Sequence, residues 1–91
     1  MMTVIVKTGL TLFPNGDKAW HLNNKLHRLD GPACEYADGT KSWWQNDRLH
    51  RLDGPAIEHA GGDKAWFING ERILCKDNEK FLRIVKMKAF L

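Results

Sequence analysis

Cysteine is scarce in this chain. Only Cys34 and Cys75 occur, without CxxC spacing, and two are too few for a disulfide framework. Both are expected to be reduced, largely buried thiols in a reducing compartment. Long apolar runs are also lacking: nothing approaches the ~18 residues of a membrane span. The opening MMTVIVKTGL is too short an apolar run for a signal peptide and has no small-residue cleavage site. A cytoplasmic location without a membrane span is therefore expected. No phosphate-binding loop, dinucleotide fingerprint, nucleophile elbow or zinc spacing occurs, so neither enzymatic activity nor a cofactor is expected. Charge of one sign is not dominant either. Fourteen Lys and Arg face eleven Asp and Glu, a net +3. That mild excess fits an acidic partner or nucleic acid but demands neither. It resides in the tail, because residues 1–75 sum to zero while Lys76, Lys80, Arg83, Lys86 and Lys88 outnumber Asp77 and Glu79.

Ninety-one residues make one domain, 1–91, of modest stability, on the order of 5 kcal/mol. Within it self-similarity dominates. LHRLDGPA occupies 26–33 and again 49–56, identical at eight positions and 23 residues apart. The same offset relates Trp20, Trp43 and Trp66, and Glu35 to Glu58. Turn signals share the period: Asn15-Gly16, Asp38-Gly39 and Gly61-Gly62 form one series, and Asn23-Asn24, Asn46-Asp47 and Asn69-Gly70 the other. Such pairs suit two-residue type I′ turns, which need positive φ at both central residues. Six residues of strand character, such as 40–45, lie between the two series. One unit thus reads as a strand over 33–37, a turn, a strand over 40–45, a turn, a short return over 48–50, and a corner at Leu52-Asp53-Gly54-Pro55. Pro55 suits a corner because it cannot donate to a ladder.

The fold class expected is mainly β: an antiparallel meander of stacked hairpin repeats in a single elongated sheet, with one C-terminal α-helix capping or packing on it. Residues 1–9 read as a cap strand, 10–72 as the repeats and 76–91 as the helix. Divergent end units are what a repeat array requires. In the tail, Asp77 or Asn78 can cap the helix, and Phe81, Leu82, Ile84, Val85 and Phe90 form an apolar stripe beside basic residues.

The pattern NGxKxWxxNxxLHRxDGPAxExxxxG resembles the MORN-like repeat found in bacterial antitoxin-type and phage or large-virus proteins. The resemblance covers roughly residues 10–72, on Asn15-Gly16, Lys18, Trp20, Leu26 to Ala33, Glu35, Lys41, Trp43, Leu49 to Ala56, Glu58, Lys64 and Trp66. It implies an elongated sheet of hairpins serving as an interaction surface. From it follows the expectation of a non-enzymatic, phage-type binding module that engages or inhibits a macromolecule in a host cytoplasm.

Three groups of residues are candidates for function. Strand alternation puts Trp20, Trp43 and Trp66 on one face, expected as core beneath the helix; the rival is an exposed stacking platform for bases. The opposite face carries Trp44 and Phe67 side by side, a candidate patch for a protein partner or a homodimer unless loops cover it. The corners hold His27, Arg28 and Asp30, then His50, Arg51 and Asp53. Two identical copies suit a structural corner, with Arg paired to Asp, more than a unique active site. A repeated binding edge is the alternative, and with the basic tail it makes nucleic acid or a nucleotide the second class of partner. No third ligand accompanies His27 and His50, so no metal site is expected. Glu35 and Glu58 are expected to pair with lysines on adjacent strands.

Overall fold

The structure, a computed structural model, describes residues 6–88. Its strands are β1 (Gly9–Leu12), β2 (Lys18–Leu22), β3 (Lys25–Leu26), β4 (Cys34–Glu35), β5 (Lys41–Ser42), β6 (Trp44–Gln45), β7 (Arg48–Leu49), β8 (Ile57–Glu58), β9 (Lys64–Ile68) and β10 (Glu71–Ile73), followed by helix α1 (Asn78–Lys88). All pairings are antiparallel. The main sheet has eight strands in the order β1-β2-β4-β5-β8-β9-β10, with β3 on β2, and β6 and β7 form a separate two-stranded ladder. The molecule is elongated, 48 × 30 × 18 Å. A meander of hairpins with one C-terminal helix is therefore the observed architecture.

The expected six-residue strand over 40–45 divides at its tryptophan, which explains the second ladder. Trp43 donates its N–H to Ala56 O at 2.8 Å and accepts from His50 N–H at 3.0 Å. Trp20 repeats this with Ala33 and His27 at 2.8 and 3.1 Å. The residues before each Trp thus pair with neighbouring repeats, and those after it pair within their own hairpin. Changing partners at one residue bends the ribbon there.

The two turn series differ. At Asn23-Asn24, Asn46-Asp47 and Asn69-Gly70 both residues have positive φ, between 50° and 82°, as type I′ turns require. In the other series only Gly16, Gly39 and Gly62 do. Gly16 donates to Phe13 O while Phe13 donates to Asp17 O. This is a type I turn closed by a glycine bulge, not the expected two-residue type I′ turn.

Register lines up small residues across the sheet. Thr11 faces Ala19, Ala19 faces Cys34, Cys34 faces Ser42, Ser42 faces Ile57 and Ile57 faces Ala65. All of this row is buried except half-buried Ile57. The neighbouring row alternates in charge: Lys18, Glu35, Lys41, Glu58, Lys64.

The caps depart from expectation. Residues 1–5 of the expected cap strand lie outside the described residues, and 6–8 are not strand. That segment caps the array by hydrogen bonds: Asn24 N–H donates to Lys7 O and Asn23 N–H to Thr8 Oγ1. At the other end Asp77 caps α1, its Oδ1 accepting Lys80 N–H at 2.9 Å. Phe81 is fully buried, its ring 6.3 Å from that of Trp66. Asn78 Oδ1 accepts the Trp66 indole N–H at 3.1 Å. The helix covers this third indole; Trp20 and Trp43 are half-buried under other residues. The expectation that all three lie beneath α1 is corrected accordingly. Phe90 lies outside the described residues. No helix among the described residues is long and apolar enough to cross a membrane.

Candidate interaction site: the cleft between two corners

Each corner is built around an arginine. The Arg28 guanidinium carbon lies 3.9 Å from the centre of the Trp20 ring, and that of Arg51 lies 3.8 Å from Trp43. The stack is a cation–π contact on a half-buried ring. Arg28 donates from Nε to Asp30 Oδ1 at 2.9 Å and from Nη1 to Pro32 O at 3.1 Å. Arg51 makes the same bonds to Asp53 and Pro55 at 2.9 and 3.0 Å. A second carboxylate joins each: Glu35 lies 3.6 Å from Arg28, and Glu58 lies 2.8 Å from Arg51. The ion partners of these glutamates are thus corner arginines, although lysines stand opposite them in the register.

The corner glycines close the other side of each guanidinium. A Cβ on Gly31 would stand 3.0 Å from Arg28 Cζ, and one on Gly54 would stand 2.8 Å from Arg51 Cζ. Neither residue has positive φ. Close approach, rather than backbone freedom, demands glycine there. Each arginine is therefore sandwiched between an indole and a glycine.

The histidines tie one repeat to the next. His27 Nδ1 accepts Asn46 N–H at 3.1 Å, and His50 Nδ1 accepts Asn69 N–H at 2.9 Å. Main-chain bonds lie alongside, from Asp47 N–H to Leu26 O and from Gly70 N–H to Leu49 O. The paired identical corners, read from sequence as structural with a binding edge as the alternative, thus have their His, Arg, Asp and Gly engaged in the frame.

Between the two corners lies a cleft of about 640 Å³, lined by Arg28 to Gly31 on one side and by Trp43, Gln45 and His50 to Asp53 on the other. Arg28, His50 and Arg51 meet there; His27 is not part of its lining. Trp44 and Phe67 are half-buried, and the Trp44 indole donates to Ser42 Oγ at 2.8 Å. They also serve the corners through their main chain, since Arg28 N–H donates to Trp44 O and Arg51 N–H to Phe67 O.

Leu29 and Leu52 went unnoticed in the sequence. They are 76% and 49% exposed at equivalent places beside the cleft. The signal was present: if the side chains two apart, Arg and Asp, join, the residue between them must point away. Trp43, read as core, also reaches this surface.

Perturbed acidities lie elsewhere. Burial pushes the Cys34 thiol up, against a smaller opposing pull from its hydrogen bond with Ser42. Burial also raises Tyr36, with the nearby Cys34 adding to it. Hydrogen bonding from the Thr40 main chain lowers Asp38. Among the described residues no group of three or more His, Cys, Asp and Glu is placed to hold a metal ion.

Compared with known proteins, the chain matches no family model, no curated protein and no solved structure.

Proposed function

We propose that the chain is a non-enzymatic, MORN-like interaction module of the cytoplasm that engages a protein partner through the cleft between its corners. The observation that carries this reading is the pair of exposed leucines, Leu29 and Leu52, held in two copies of one rigid frame. Exposed aliphatic side chains on a rigid, pre-ordered surface lose little entropy on binding. The side chains that chemistry would use are already employed: each arginine between two carboxylates and an indole, and each histidine as an acceptor for a neighbouring turn. That weighs against catalysis. It also weighs against nucleic acid at the corners, because two guanidiniums there face four carboxylates.

The test is capture from an extract of the native host, with Leu29→Asp and Leu52→Asp combined in one variant. Loss of capture is expected, with an unchanged circular dichroism spectrum because both side chains are exposed. Undiminished capture would remove the cleft from consideration, and a loss with Trp44→Ala instead would move the surface to the Trp44 and Phe67 side.

A further inference from the structure

Resting on that reading, we propose that the cleft receives an extended segment of a partner protein whose side chains are basic and aliphatic. The case comes from what the cleft leaves unbonded. The Trp43 indole N–H lines it, while among the described residues the indoles with an acceptor are those of Trp44 and Trp66. His50 accepts at Nδ1, so its neutral ring carries the proton on Nε2. Arg28 and Arg51 bond through Nε and Nη1, which leaves the Nη2 protons of each. These donors converge on one space and suit the row of carbonyl oxygens along an extended main chain.

Charge selects the side chains of that segment. Asp30 and Asp53 each give one oxygen to an arginine, and their side chains are 86% and 85% exposed. With Glu35 and Glu58 behind them, each corner holds two carboxylates and one guanidinium, a net charge of −1. A lysine or arginine reaching toward Asp30 or Asp53 is attracted, whereas a polyphosphate chain meets net repulsion. Leu29 and Leu52 supply aliphatic contact at the rim. A second copy of the chain is not the expected occupant, since the apolar face of its basic helix already packs on its own Trp66.

The test uses the full-length ¹⁵N-labelled chain and three probes: a short synthetic peptide alternating lysine and leucine, its counterpart with glutamate for lysine, and oligothymidine. The lysine peptide is expected to shift the Trp43 indole N–H resonance downfield and to move the amides of Leu29 and Leu52. The indole signals of Trp44 and Trp66, already bonded within the molecule, should stay. Asp30→Asn with Asp53→Asn should weaken binding about tenfold, the scale of one charge-assisted hydrogen bond, and Leu29→Ser with Leu52→Ser should also weaken it. Equal or tighter binding of the glutamate peptide or oligothymidine would overturn the proposal. So would binding that leaves the Trp43 signal unmoved, or self-association through the cleft. If the lysine peptide fails while host capture still depends on Leu29 and Leu52, only the ligand chemistry is wrong. Capture independent of both leucines overturns the interaction reading itself.

Discussion

The most demanding residue in the repeat is the corner glycine. Gly54 sits where a methyl group would stand 2.8 Å from Arg51 Cζ, and Arg51 cannot retreat because Trp43 lies 3.8 Å away on its other side. Gly54→Ala is expected to cost about 1–3 kcal/mol, the usual range for overpacking, measured by urea unfolding. Gly61→Ala is the control, since nothing lies within 4 Å of a Cβ there and its φ is not positive; it should be neutral or slightly stabilising. A second residue-level expectation concerns Cys34. Burial raises its acidity constant and so disfavours the thiolate. Reaction with a disulfide reagent at neutral pH should therefore be slow in the folded chain. It should accelerate in denaturant, and in the folded chain it should rise with pH as the thiolate forms. Rapid labelling of the native protein would contradict the burial described.

Among the elements, α1 takes over work that a corner does elsewhere. In the third repeat Leu74 stands where Arg51 stands in the second, 23 residues on, so no guanidinium is available for Trp66. Phe81 and Asn78 cover and bond that indole instead. Phe81→Ala should cost about 3–5 kcal/mol, as truncating a buried phenylalanine does. In a domain with on the order of 5 kcal/mol of stability, that is enough to abolish cooperative thermal unfolding followed by Trp fluorescence. Asp77→Ala removes only the cap and should cost about 1 kcal/mol. The helix itself was readable from its cap, acidic first turn and apolar stripe. Its reach was not: periodicity marks the buried face of a helix without saying which of three equivalent indoles it meets.

At the scale of the whole molecule the repeats are linked to their neighbours, so stability should divide by repeat. His50→Ala removes the acceptor for Asn69 N–H and is expected to speed hydrogen exchange at Asn69 and Gly70 while Asn46 and Asp47 stay protected. His27→Ala should show the reverse, because its nitrogen serves Asn46. Uniform loss of protection in both variants would mean that the array opens as one unit. The 23-residue spacing of turns, tryptophans and corners was by itself sufficient for the meander, its antiparallel pairing and the Asn-rich positive-φ turns, because these depend on local backbone preference and strand alternation. The Arg–Asp pairing of each corner was likewise within reach of two residues' separation. What only the tertiary structure decided depends on which residues of different repeats come close. Each tryptophan exchanges strand partners and bends the ribbon, a guanidinium fills the space between indole and glycine, and two corners 23 residues apart enclose a cleft edged by leucines. Those outcomes come from steric fit and hydrogen bonding between distant segments, which spacing along a chain does not specify.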